Sequence, residues 1–301
     1  MTRTVILATI VLAGMGRAVA AAPQAPAGQP GQGAGRGPQG PNVAEIQKVR
    51  DNLFMLTGGG GNTAAFITAN GVTLIDTKLA NWGPAIMEKL RTVTDKPVTT
   101  IINTHTHGDH VGSNESFDAR VEVVTHENTR ANMERMEALK GKPQAMPDRT
   151  FTDRLTVGRG AEQIDLYYFG AGHTNGDALV VFPALRVMHA GDLFPGKQAP
   201  FVDPANGGSG VAYPDTLAKL TQTVRNIETI IPGHSTLMTW ADLLEFAEFN
   251  REFLAAARAA RQAGRTAEQA AAEIKLPAKF SSWTMTRAAS NMAAIFSELS
   301  R

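Results

Sequence analysis

Seven histidines occur in 301 residues, and three of them fall within six positions. His105, His107 and His110, with Asp109, lie in IINTHTHGDHVGSN (101–114). Imidazole and carboxylate packed this densely are suited to ligating a divalent ion. Helical zinc motifs put two histidines at i and i+4, on one face. The first pair here is at i and i+2, which a helix sends to opposite sides and an extended chain sends to the same side. His105 and His107 therefore belong at a strand end that runs into a loop. Gly108 lets the backbone turn, bringing Asp109 and His110 back toward the same centre.

Three further positions fit this cluster. His173 lies in GAGHTNGD, Asp192 in HAGDLF and His234 in IIPGHS. Each stands near a glycine at a loop edge, where functional residues are usually carried. Five histidines and two aspartates exceed the three protein ligands of one tetrahedral ion with an open position. They suit two ions sharing a bridging carboxylate. The chain has no cysteine, so every ligand must be nitrogen or oxygen, which suits zinc best, with iron or manganese as alternatives. His126, at a helix start, and His189, within a strand, are read as structural.

These residues need a frame. LFMLT (53–57), TAAFIT (63–68), VTLIDT (72–77) and VTTIIN (98–103) read as strands. So do TFTDRLTV (150–157), IDLYYFG (164–170), ALVVFP (178–183), RVMHAGD (186–192) and TIIPGH (229–234). Helical spacing marks 82–93, 126–139 and 213–227. Strands and helices alternate in both halves, which argues for an α/β chain of mixed sheets covered by helices in one domain, 43–240. TGGGGN (57–62) is read as a hairpin turn rather than a mobile flap over the site. Asp76 and Thr77, in LIDT, are candidate supports for the histidine loop, since a ligating imidazole needs a partner for its other nitrogen.

The two ends differ from the middle. MTRTVILATIVLAGMGRAVAAAP has a basic start, a short apolar run and the small-residue sites AVA and AAA, so residues 1–22 read as a signal peptide. The Pro, Gly, Gln and Ala of 23–42 read as a linker with nothing to bury. Without Arg3 and Arg17 the remaining chain is close to neutral, and no basic patch stands out to hold nucleic acid. After Trp240 the chain becomes a helical extension, 241–301, with helices expected at 241–264, 266–274 (Thr266 as N-cap) and 283–300. It is read as a packing or dimerising appendage.

THTHGDH, GHT, GD and PGH, in that order, resemble the metallo-β-lactamase superfamily over roughly residues 45–240. The resemblance implies a four-layer αβ/βα sandwich with the metals in a groove at one edge. It implies that His105, His107 and His173 hold a first ion, that Asp109, His110 and His234 hold a second, and that Asp192 bridges them. It also puts Lys197 and Asn206 near positions that contact substrate in the secreted β-lactamases. The match is loose, since the lysine of those enzymes follows a cysteine by three residues and Lys197 follows Asp192 by five. Those enzymes carry that cysteine where this chain has Asp192. Aspartate is the pattern of the wider hydrolases, among them thioesterases, lactonases and phosphodiesterases.

The expectation is an exported, periplasmic or secreted, dinuclear zinc hydrolase. It would open an ester, thioester, lactone or amide-type bond of a small molecule. Asp109 would orient a water acidified by two ions as well as ligate. No G-x-S-x-G nucleophile elbow offers another route; GGSG (207–210) lacks that spacing. The alternatives are β-lactam hydrolysis and, from another class, a mononuclear iron sulfur dioxygenase on the same fold.

Overall fold

Apolar runs without alternation, such as TAAFI and VTLI, ask for strands buried on both faces. The computed structural model, which describes residues 42–301, places them so. The expected signal peptide and all of the expected linker except Asn42 lie outside the described residues.

One sheet runs in chain order from β1 (Glu45–Arg50) through β2 (Leu53–Thr57), β3 (Thr63–Ile67), β4 (Val72–Ile75), β5 (Val98–Ile102) and β6 (Glu122–His126) to β7 (Arg149–Phe151). Its first four strands are antiparallel, and β4 to β7 are parallel. The second sheet contains β8 (Arg154–Val157), β9 (Ile164–Tyr167), β10 (Leu179–Phe182), β11 (Val187–Gly191), β12 (Thr229–Pro232) and β13 (Met238–Thr239). These are ordered β13-β12-β11-β10-β9-β8, with only β11 and β12 parallel.

The two sheets pack face to face. Phe66, Ile75, Ile102 and Val124 of the first meet Leu166, Val180, Phe182 and Ile231 of the second. The first sheet's outer face, with Ala65, Leu74, Ile101 and Val123, is covered by Ile86 and Leu90 of α1 (Gly83–Leu90). Between β5 and β7 the chain also forms the short α2 (Gly108–Val111) and α3 (Glu127–Met133). On the outer face of the second sheet, Leu179, Val181, Met188 and Ile230 lie under α4 (Tyr213–Thr223), α5 (Trp240–Gln262), α6 (Ala267–Glu273) and α7 (Ala288–Glu298). This is the four-layer αβ/βα sandwich with C-terminal helices. The extension 241–301 shares its core: Phe246 and Phe249 of α5 stack with Trp283, the latter at 4.7 Å between ring centroids. Thr266 caps α6 in a reciprocal box with Gln269.

Several elements differ from the sequence expectation. The strand expected at 150–157 is two strands in different sheets, and the chain crosses the sandwich at Thr152 and Asp153. β1 and β6 were not expected. The helix expected over 126–139 ends at Met133, because Met133 and Leu139 turn inward onto Val111 and Ala145. The last helix starts only at Ala288: residues before it run against 198–199, where Ala199 N–H donates to the Thr284 carbonyl at 2.9 Å. Among the described residues no helix is long and apolar enough to cross a membrane.

Candidate metal centre

Parallel strands present their carboxyl ends at one edge of a sheet, where ligands characteristically bind. Asp76 follows β4, His105 to His110 follow β5, Asp192 follows β11, and His234 follows β12. His173 comes from the β9–β10 connection. All seven expected ligands meet at this edge. His105, His107, His173 and Asp192 each bring one ligand atom within 4.8 Å of the others, and so do Asp109, His110 and His234. Asp192 stands between the groups. Its Oδ2 is 3.6 Å from His173 Nε2 and 3.2 Å from His234 Nε2, and its Oδ1 is 3.4 Å from His110 Nε2.

The first group is built of three mutually edge-on imidazoles, with centroids 4.5–4.9 Å apart. The i, i+2 pair lies in the extended chain after β5, as its spacing requires. Asp109 and His110 lie on α2, whose first residue is Gly108.

Each of four histidines has its outward nitrogen anchored, which fixes the nitrogen left for a metal. His107 Nε2–H donates to Asp203 at 2.7 Å, leaving Nδ1 facing His173 Nε2 at 2.9 Å. His173 Nδ1–H donates to the Phe201 carbonyl at 2.6 Å. His110 Nδ1–H donates to Asp76 at 2.7 Å, and His105 Nδ1 lies 3.0 Å from the Thr104 hydroxyl. That hydroxyl donates in turn to Asp76 at 2.7 Å, and Thr104 N–H donates to the same carboxylate at 2.8 Å. Asp76, fully buried, thus braces one histidine of each group. Its φ of 63° is a left-handed conformation that aspartate tolerates. Gly191, with φ 49°, lets β11 pass Thr104, since a Cβ there would lie 2.6 Å from the Thr104 hydroxyl.

The donor set fits a cation. Among the described residues, His105 Nε2 and Asp192 Oδ1 are buried without a hydrogen-bond partner, a state that costs about 1–3 kcal/mol per group unless something else pairs with it. Burial and the neighbouring imidazoles hold His105 well below the usual histidine range, and burial with His107 pushes His173 down to about 4. Both rings are therefore neutral at pH 7, the form that ligates. Asp192 raises His234, and Asp192 with Asp76 raises His110 against the effect of burial. Around those two rings the carboxylates call for positive charge, which a divalent ion supplies.

The remaining expected residues stand elsewhere. Thr77 supports the histidine loop through its backbone and not through an imidazole: its N–H donates to the His110 carbonyl at 2.7 Å, and its hydroxyl donates to Asn114 at 2.7 Å. Lys197 is turned to α5, its ammonium 2.8 Å from both Asp242 and Glu245. The acidic start of α5, and not a substrate, neutralises this lysine. Asn206 donates to Asp203 at 2.7 Å, so it stands behind His107. His126 caps α3 and stacks on Tyr168, and His189 donates to the Asn62 carbonyl at 3.1 Å, both structural as read.

Three residues escaped the sequence reading. Asp203 holds His107 across 96 positions, and VDPAN signals only a local turn. Asp177, pushed up to about 7 by burial, accepts from Thr174 N–H and hydroxyl and so braces the loop carrying His173. Lys78, fully buried and pushed down to about 7 by that burial, donates at 2.9 Å to the carbonyls of Leu56 and Gly61. It ties both sides of TGGGGN, and Gly61 N–H donates to the Asp109 carbonyl at 3.1 Å. The segment is a pinned turn between β2 and β3. A Cβ on Gly61 would lie 2.2 Å from the His110 ring, so only glycine lets the turn come this close.

The family model of the metallo-beta-lactamase superfamily matches residues 56–234, more than half of the chain. Metallo-beta-lactamase type 2 of Bacteroides fragilis is 29% identical over 137 residues, 46% of this chain and 53% of that protein. The chain thus spans about half the length of that relative. Among solved structures, a metallo-beta-lactamase from Pontibacter korlensis superposes with a TM-score of 0.61 at 23% identity, covering 69% of this chain and 99% of that one. The inverting sec-alkylsulfatase Pisa1 from Pseudomonas superposes with a TM-score of 0.72 at 14% identity, covering 85% and 50%. At these identities the structural likeness is one of fold.

Proposed function

The chain belongs to the metallo-beta-lactamase superfamily, and from that membership we propose that this metal-dependent hydrolase is a dinuclear zinc enzyme acting on an acyl bond of a small molecule. One arrangement supports the reading above all. Two groups of converging ligand atoms meet at Asp192, and the anchored histidines leave their free nitrogens toward the centre. His105, His107 and His173 would hold one ion, Asp109, His110 and His234 the other, with Asp192 shared. The chemistry that such a pair supplies when bound is an acidified water and a polarised carbonyl.

The protein's own part is to orient and to move a proton. Asp109 Oδ2 lies 3.3 Å from His234 Nε2, and the side chain is 29% exposed. It orients the attacking water and accepts its proton. That proton passes to the leaving oxygen, sulfur or nitrogen as its bond to the acyl carbon breaks. Asp76 and Asp203 hold the imidazoles still while this happens.

A second reading, β-lactam hydrolysis, is favoured by the name of the Bacteroides fragilis relative. It is weakened by Asp192, which stands where the secreted β-lactamases have cysteine, and by Lys197, which is engaged with α5. The basic, apolar start and its small-residue sites support export to the periplasm or beyond.

The test is a panel on zinc-reconstituted protein: an ester, a thioester, a lactone, nitrocefin and bis-nitrophenyl phosphate. The expected outcome is turnover of at least one acyl ester, thioester or lactone well above nitrocefin. Nitrocefin as the best substrate would favour the second reading. No acyl turnover, with oxygen consumption by an iron-loaded form, would replace hydrolysis by the dioxygenase.

A further inference from the structure

The groove is open on one side, where the side chains of His107, Asp109 and His234 are 19%, 29% and 32% exposed. The lysine expected to meet substrate there is neutralised by two carboxylates of α5. Another cation stands beside the first group of ligands. Phe201 stacks on His107 at 5.9 Å between centroids, with an interplanar angle of 26°, and meets His173 edge-on at 5.8 Å. The guanidinium of Arg287 lies over the Phe201 ring, its Cζ 4.7 Å from the centroid. One aromatic ring therefore links the arginine to two of the candidate metal ligands.

Arg287 is also held in place. The chain on either side of it is bonded to the strip that carries Phe201. Upstream, Ala199 N–H donates to the Thr284 carbonyl at 2.9 Å. Downstream, Asn291, almost fully buried, donates to the Pro200 carbonyl at 2.6 Å and accepts from Val202 N–H at 3.2 Å. The arginine sits between these two ties, half-buried, with its flat face on an aromatic ring. Among the described residues no carboxylate lies within ion-pair distance of it. A guanidinium fixed by stacking keeps its N–H edges for a planar oxyanion, which it can bind with two parallel hydrogen bonds.

We propose that Arg287, set by the C-terminal helices over the ring that packs on His107 and His173, is a specificity-determining residue that selects substrates carrying a carboxylate near the bond to be cleaved. The proposal rests on the hydrolase reading for the words "bond to be cleaved", but the binding claim can be tested apart from it. An α5–α7 extension then has a part in recognition as well as packing.

The experiment uses the zinc-loaded full chain and its Arg287→Gln and Arg287→Lys variants. Binding of 4-oxo-4-phenylbutanoate, a ketone with a carboxylate and no hydrolysable bond, is measured by calorimetry against neutral butyrophenone. In parallel, 4-nitrophenyl hemisuccinate and the neutral 4-nitrophenyl butyrate are assayed for turnover. R287Q is expected to weaken the anionic ketone and raise KM for the anionic ester by about tenfold, the size of one lost charge-assisted contact. The neutral partners should be unchanged, and R287K should recover only part of the loss, since an ammonium keeps the charge but not the stacked fork. Equal losses for anionic and neutral ligands would make Arg287 structural, and no loss for either would overturn the proposal. Turnover of neither ester by the wild-type chain would count against acyl hydrolysis, while calorimetry still decides on Arg287.

Discussion

Residues around a metal centre act through the atoms that hold them. Asp203 never appeared among the expected ligands, yet its carboxylate fixes which nitrogen of His107 faces inward. Replacing Asp203 with alanine is expected to lower zinc affinity at the first site by about 10–100-fold, the usual range for loss of such a partner. Asn206→Ala, one bond further out, should cost several-fold less. Titration against a chromophoric chelator measures both, and equal affinities for wild type and D203A would contradict the account. The ligands themselves were legible because histidine and aspartate near glycine at strand ends have few other uses. Asp203 was not legible, since its bond to His107 spans 96 positions and its local signature is only a turn. Lys197 misled for the opposite reason: its match to a family position ignored Asp242 and Glu245, which lie about fifty residues away and meet it only in the fold.

At the scale of elements, the buried parallel strands were legible as unbroken apolar runs, and the strand ends carried the site with them. What escaped were elements decided by partners rather than by their own pattern. β1 is polar along most of its length and is held by its ladder to β2. The run 150–157 hid a crossing between sheets. After that crossing, β8 is fastened to β9 through Asp165. Burial pushes this carboxyl up, but hydrogen bonds from Thr156 at 2.5 Å, Gln163 at 3.0 Å and Arg154 at 3.2 Å more than offset it and hold it below the usual aspartate range. A folded-state pKa below the unfolded one adds stability above the ordinary aspartate pKa, and that stability is lost as pH falls through the folded value. Asp165→Asn should therefore be less stable than wild type at neutral pH and show a shallower loss below about pH 4. Urea unfolding across pH checks this, and parallel wild-type and D165N profiles would contradict it.

Across the whole molecule, two sheets and their helices converge on one edge where ligands from four connections meet. The dense first motif announced half of that centre; the other half came from three single residues spread over 62 positions, His173 to His234. The C-terminal helices, expected as an appendage, cover the second sheet and set Arg287 over the Phe201 ring that stacks on His107. The claim on which the account turns is that the groove holds two ions, divided between the two groups and shared at Asp192. The direct test is zinc content per chain, by mass spectrometry of the reconstituted protein, for wild type and His110→Ala. The account predicts two zinc ions in wild type and one in H110A, with the first group still loaded. One ion in wild type, or two retained in H110A, would contradict it.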